Sequence, residues 1–418
     1  MHDFHFKNNE MFCESVRVRD VAKSVGTPFY LYSHNTIVDH FTKIQKAFAP
    51  VEPLICFAMK ANDNLSVVRS LLNEGAGLDI VSGGELRKAL LLKANPKKIV
   101  FASVGKTEDE ITSAMHAGIL LFNIESEPEL AEINRIAKKL RIKVQAALRI
   151  NPDVAAATHE WITTGTLKKK FGIDLRSARR IFKSRHKYMN VRLNGLHYHI
   201  GSQITTGKPF INATKKVIEF LNILRQDGIT LEYLDIGGGM GIIYKDEHPQ
   251  TAQVYADLIL PFLVKTGLKI IMEPGRFIVG NAGIFVTKVL YLKDNGYKNF
   301  IIVDGGMNDL IRPSLYHAYH TIVPVVTKKR GKITADVVGP VCESGDFFAK
   351  DRTLPKVSSN ELLAVMSAGA YGFTMSSNYN ARCRVPEVLV HGNKFDVVRK
   401  RETFEDLIKG ENIPKFLR

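Results

Sequence analysis

Between residues 54 and 272, short apolar runs alternate with amphipathic stretches, and this rhythm narrows the choice of fold more than any other feature of the chain. The runs are 54–58, 78–81, 99–102, 120–124, 144–150, 193–200, 231–236 and 268–272. Each is short, and each is apolar at successive positions, as expected of a strand covered on both faces. Between them, 65–74, 84–93, 108–117, 128–140 and 210–226 carry apolar residues at helical spacing. Strand and helix alternating over roughly 220 to 250 residues predict a parallel (β/α)8 TIM-like barrel, placed here at residues 27–276. From residue 277 the pattern changes to strand-like runs without long helices: 278–292, 300–303, 321–326, 334–338, 361–366, 386–391 and 394–398. These predict a second, mainly β domain over 277–418, joined by the polar leader 1–26.

If the barrel forms, polar groups at the C-terminal ends of its strands meet at one mouth, where barrels of this kind place their chemistry. The first strand runs Pro53-Leu54-Ile55-Cys56-Phe57-Ala58-Met59 and stops in Lys60. A lysine just past a strand is usually a solvated charge, but one over an apolar floor has a lowered pKa and becomes a nucleophile or imine former. The sixth strand ends His197-Tyr198-His199-Ile200-Gly201-Ser202-Gln203, and its two histidines share one face. Metal binding is disfavoured because no third soft ligand has a matching place. A flat His199 ring stacked on a planar cofactor, with His197 a satisfied core residue, uses them better.

The seventh strand ends in Asp235-Ile236-Gly237-Gly238-Gly239, where glycines let backbone N–H groups approach an anion. The spacing meets a dinucleotide fingerprint only loosely. The eighth ends in Glu273-Pro274-Gly275-Arg276, which brings a carboxylate able to meet a ring nitrogen and a guanidinium able to bind phosphate or carboxylate. An imine-forming lysine, a phosphate cradle, a carboxylate and a stacking histidine together predict a pyridoxal 5'-phosphate site.

Composition excludes other classes. The charge of +16, from 58 basic and 42 acidic residues, raises the question of nucleic acid. The basic residues are dispersed, however, and the runs Lys168-Lys169-Lys170 and Lys328-Lys329-Arg330 lack interleaved aromatics, so they read as solvated faces. Four cysteines without CxxC spacing, no apolar run approaching 18 residues and a polar start suggest a soluble cytoplasmic protein with no membrane partner.

Several stretches carry a resemblance that spans about residues 27–398. They are Phe57-Ala58-Met59-Lys60-Ala61-Asn62, Ser82-Gly83-Gly84-Glu85-Leu86, Lys170-Phe171-Gly172-Ile173, His199-Ile200-Gly201-Ser202-Gln203, Glu273-Pro274-Gly275-Arg276, Gly339-Pro340-Val341-Cys342-Glu343-Ser344-Gly345-Asp346 and Gly369-Ala370-Tyr371-Gly372. The chain resembles the fold type III pyridoxal-phosphate decarboxylases, built on an alanine-racemase-like barrel plus a β domain, and within them the diaminopimelate decarboxylases. The resemblance implies that Lys60 holds the cofactor covalently, His199 stacks on its ring and Glu273 meets the pyridine nitrogen. It further implies that Ser202, Gly237, Gly238, Gly239, Gly275 and Arg276 receive the phosphate, and that Tyr371 reaches the cofactor and substrate. Cys342 matches the family's proton donor, which enters from the other subunit, so a homodimer with shared active sites is implied.

Arg276, Arg312 and Tyr316 match the groups that grip the distal carboxylate of meso-diaminopimelate, and Glu343 matches the group that takes its distal ammonium. Taken singly, Arg312 and Tyr316 would read as a surface arginine and a half-buried tyrosine. Ornithine decarboxylases carry Asp at the position of Glu343 and lack the segment Arg312-Pro313-Ser314-Leu315-Tyr316. The implied reaction is decarboxylation of meso-2,6-diaminopimelate to L-lysine and CO2. The alternative is a decarboxylase of the same fold acting on D-ornithine, D-lysine, arginine or carboxynorspermidine. The run Ala155-Ala156-Ala157-Thr158-His159 is less polar than in relatives and bears on no site residue.

Overall fold

A computed structural model describes residues 2–154 and 170–418; the run beginning at Ala155, and Lys168 and Lys169, lie outside the described residues. The chain divides into two compact units, Ile37–Val279 and Met1–Thr36 with Gly280–Arg418.

The first unit contains a closed barrel of eight strands, all paired in parallel. They are Leu54–Ala58, Gly77–Ile80, Ile99–Ala102, Leu121–Ile124, Val144–Ile150, Val191–Tyr198, Tyr233–Asp235 and Lys269–Met272. Each matches a run anticipated from the sequence within a few residues. The barrel closes where Ile271 and Met272 pair with Leu54 and Ile55. Helices start where side chains satisfy their free N–H groups: Asn64 accepts from Ser66 N, Ser82 from Glu85 N, and Thr107 and Glu110 form a reciprocal capping box. Their inner faces bury Val67, Val68 and Leu71 on one helix and Leu130, Ile133 and Ile136 on another. Because every strand runs the same way, the residues that follow them gather at one rim.

The second unit is built on a sheet whose main path runs Phe347–Pro355, Lys332–Val338, Asn299–Val303, Gly283–Asp294, Phe29–Ser33, Glu387–His391 and Lys394–Arg399. Leu362–Val365 joins it against Gly283–Asp294 and also pairs Ile322–Pro324. Segment 27–36, assigned to the barrel from the sequence, belongs here instead. Phe29–Ser33 is antiparallel to Gly283–Asp294 and parallel to Glu387–His391, and all five of its residues are buried.

The polar leader is also structured. Phe4–Lys7, Glu10–Cys13 and Val16–Arg17 form a three-stranded sheet, the helix Val18–Val25 follows, and Phe4, Met11, Cys13, Val16, Val18 and Val21 enter a buried cluster with Phe29 and Val286. The expected strand from residue 278 starts later. Arg276–Val279 is a single helical turn in the barrel unit, and the strand begins at Gly283.

Candidate active site

Lys60 stands in the one-turn 3-10 helix Met59–Ala61 that ends the first barrel strand, over buried Phe57, Met59 and Ala61. Its Nζ lies 2.5 Å from Oδ2 of Asp79, the in-register neighbour of Ala58 on the next strand. Asp79 is fully buried. Burial first, then the charge of Glu273, pushes its carboxyl up to about 7, while Lys60 pulls the other way.

Behind this pair lies a buried polar network. His197 and Asp235 are in-register partners on adjacent strands, and Glu273 follows the eighth. Asn123 Nδ2, from the fourth strand, donates to Oδ2 of Asp235 at 3.1 Å and to Oε1 of Glu273 at 3.0 Å. His197 Nε2 is 3.3 Å from Oε2 of Glu273, close enough for ion pairing but not aligned for a hydrogen bond. Burial alone would raise the Glu273 carboxyl, but His197 and then Lys60 outweigh it and hold that carboxyl well below the usual range. Burial, with the Glu273 charge next, instead drives Asp235 up. The network therefore concentrates its negative charge on Glu273.

His197 differs from the satisfied core histidine anticipated, since neither ring nitrogen has a hydrogen-bond partner among the described residues. It also does not share a donor set with His199. His197, Asp235 and Glu273 bring ligand-type atoms within 4.8 Å of one another, and the Asn123 amide donates to one oxygen of each of the two carboxylates.

His199 accepts a 3.1 Å hydrogen bond at Nδ1 from the N–H of Gly238. Burial, and then the nearby Arg149 guanidinium, lowers its pKa to about 3, so the ring is neutral with its proton on Nε2. The glycine turn is thus less of an open cradle than its sequence suggests. Gly238 serves His199, and the Gly237 N–H donates to Oδ1 of Asp235 at 2.9 Å. The N–H of Gly239 has no partner among the described residues, and Gly239 is partly exposed beside the Gly201 carbonyl. Ser202 follows directly. Its Oγ accepts from Nε and Nη2 of Arg276 at 3.3 and 3.0 Å, and Nη1 of Arg276 donates to the Tyr244 hydroxyl at 2.6 Å. Gly275 packs its Cα face against Ala58 and Ala61, bringing the Arg276 turn beside Lys60.

The remaining predicted residues belong to the β unit. Arg312 and Tyr316 share the helix Arg312–Tyr316, with the guanidinium 6.0 Å from the Tyr316 ring. Cys342 and Glu343 are exposed on the loop after Lys332–Val338. That loop is tied to the helix by Ser314 Oγ, which donates to the Gly345 carbonyl at 2.5 Å, and is braced by buried Asp346, which accepts from the N–H groups of Met307 and Val341. Tyr371, half-buried, has φ +55 in the loop after Leu362–Val365.

Asp79, Asn123 and Tyr244 escaped the sequence reading. The only signal for the first two was a lone polar residue inside a short apolar strand.

The barrel residues fit pyridoxal phosphate: an amine paired with a carboxylate, an ionised buried carboxylate, a neutral imidazole, and a guanidinium, a hydroxyl and an open glycine amide at one end. Residues 34–280 match the family described as pyridoxal-dependent decarboxylase, pyridoxal binding domain. The chain belongs to that family of pyridoxal-dependent decarboxylases. Within it, the chain falls among the diaminopimelate decarboxylases. It is 50% identical to the diaminopimelate decarboxylase of Aquifex aeolicus, covering 97% of this chain and 96% of that one. It is 46% identical to that of Vibrio cholerae, covering 97% and 98%. Among solved structures, diaminopimelate decarboxylase from Helicobacter pylori complexed with L-lysine superposes with a TM-score of 0.90 at 42% identity, covering 94% of this chain and 98% of the other. The M. jannaschii enzyme in complex with L-lysine superposes with a TM-score of 0.95 at 38% identity, covering 100% of both chains.

Proposed function

We propose that this chain is a carboxy-lyase that converts meso-2,6-diaminopimelate to L-lysine and CO2, the last step of lysine biosynthesis. The observation that carries the reading is the full-length match, at up to 50% identity, to diaminopimelate decarboxylases. Pyridoxal phosphate, when bound, supplies the electron sink that makes loss of the carboxylate possible. Lys60 would hold it covalently, with Asp79 beside Nζ as the acceptor for its proton. Glu273, kept ionised, would hold a proton on the pyridine nitrogen. The neutral His199 ring would lie flat against the cofactor. Arg276, Ser202, Gly275 and the 237–239 turn would receive the phosphate, with Tyr371 reaching cofactor and substrate.

At the substrate's far end, Arg312 and Tyr316 would hold the distal carboxylate, with Arg276 available to either anion, and Glu343 would hold the distal ammonium. Cys342 would protonate the reacting carbon. Its exposure suits delivery into the site of a second copy, and so a homodimer with shared sites; the dispersed basic residues speak against a nucleic-acid partner, and four cysteines without CxxC spacing fit the cytoplasm. Among the described residues, no helix is long and apolar enough to cross a membrane.

The test is CO2 release from meso-diaminopimelate, D-ornithine, D-lysine, arginine and carboxynorspermidine by cofactor-loaded protein. Arg312→Ala should cut kcat/KM for meso-diaminopimelate about 10- to 150-fold, the worth of a charge-assisted hydrogen bond, and leave substrates without a distal carboxylate nearly unaffected. Lys60→Ala should lose the visible cofactor band and borohydride trapping of cofactor. Preferred turnover of another substrate in the panel would overturn the assignment.

A further inference from the structure

We infer that His320 is a positioning residue that sets substrate selectivity by orienting the Arg312 guanidinium. The inference rests on the reading of Arg312 as the receiver of the distal carboxylate. Arg312 opens its short helix and is only 5% exposed. The helix stops at His317, whose φ of +50 turns the chain back and whose N–H returns to the Arg312 carbonyl. That reversal brings fully buried His320 behind Arg312, with Nε2 accepting from Arg312 Nε at 3.3 Å.

The other ring nitrogen, Nδ1, lies 2.8 Å from the Met366 carbonyl, an acceptor only. Nδ1 therefore carries the proton and Nε2 the lone pair, and one neutral tautomer satisfies both contacts. The backbone is pinned too. Arg352 Nη1 donates to the His320 carbonyl at 2.9 Å, and Met366 N–H donates to the Thr321 carbonyl at 2.8 Å.

The Nε–H bond to His320 fixes the plane of the Arg312 guanidinium and with it the direction in which Nη1 and Nη2 point, and that direction is what a two-pronged grip on a carboxylate depends on. The ordering cost of a long, rotatable side chain is met before substrate arrives. His320 itself need not touch substrate.

Two substitutions separate orientation from folding. His320→Asn places an amide near Nδ1, so it keeps a donor for Met366 and removes the acceptor for Arg312. His320→Gln places an amide oxygen near Nε2 and restores that acceptor. With equal cofactor loading, His320→Asn should raise KM for meso-diaminopimelate about tenfold or more and change kcat less than about twofold. His320→Gln should recover most of the loss, and His320→Asn should add nothing in an Arg312→Ala background.

A fall in kcat at unchanged KM, no rescue by Gln, or an equal penalty in the Arg312→Ala background would overturn the role of His320. Normal KM for His320→Asn beside a raised KM for Arg312→Ala would overturn it as well, while leaving the Arg312 reading intact. An unchanged KM for Arg312→Ala would overturn the distal-carboxylate reading, and this inference with it.

Discussion

The imidazole of His199 sits where the unfolded chain would take up a proton that the folded chain refuses. Its folded pKa of about 3, set by burial and then by Arg149, lies well under the ordinary 6.5. Between those values the unfolded state binds the extra proton, so stability falls as pH is lowered from about 6.5 toward 3. Urea unfolding of cofactor-free protein should show the unmutated chain losing about 1–2 kcal/mol more between pH 7 and pH 5 than His199→Phe does. Equal losses would show that the ring is protonated in the fold. The same neutrality is what a stacking ring needs, since an imidazolium beside Lys60 and Arg149 would meet two like charges.

At the scale of elements, the turn after the seventh strand is pressed backbone to backbone against the end of the eighth, besides its hydrogen bonds to Asp235 and His199. A Cβ on Gly238 would lie 2.3 Å from the Glu273 carbonyl oxygen, on a neighbouring strand end that has no slack. Gly238→Ala should therefore cost about 1–3 kcal/mol in the denaturant midpoint and weaken cofactor retention, because it pushes on Glu273 directly. Lys60, Glu273, Arg276 and the glycines were legible in the sequence because Pro, Gly and a sudden charge mark the end of an apolar run.

Asp79 and Asn123 were not, for they lie inside strands of four residues, where alternation does not tell which side faces the rim. The diversion of the Gly237 and Gly238 amides to Asp235 and His199 also depends on which strands become neighbours. In the β unit most strands could be read from their apolar runs, but Phe347–Pro355 could not. It carries exposed Lys350 and Asp351 at mid-strand, pairs among the described residues only with Lys332–Val338, and kinks at Asp351 with φ +47. The N-terminal sheet was hidden by strands of two to four residues, too short for a period to show.

At the scale of the whole molecule, the proposed shared site makes a prediction that a self-contained monomer would fail. Lys60→Ala and Cys342→Ala homodimers should each be nearly inactive, yet mixing them in equal amounts under exchange should return about a quarter of the unmutated activity. Half of the dimers would then be mixed, each with one intact site. No recovery would place Cys342 in the site of its own chain.

The position of Phe29–Ser33 between Gly283–Asp294 and Glu387–His391 has a consequence in the order of synthesis. The strand is made early, but its two sheet neighbours are translated only after all of Ile37–Val279, whose barrel strands pair among themselves. An apolar, strand-prone segment must therefore wait on the ribosome with both edges bare while the barrel matures ahead of it. Among the described residues its second edge is covered by Glu387–His391, so release of a chain stopped before Glu387 leaves an open sheet edge. Completion of the β unit is thereby tied to translation through Glu387–His391, after the whole barrel has been made.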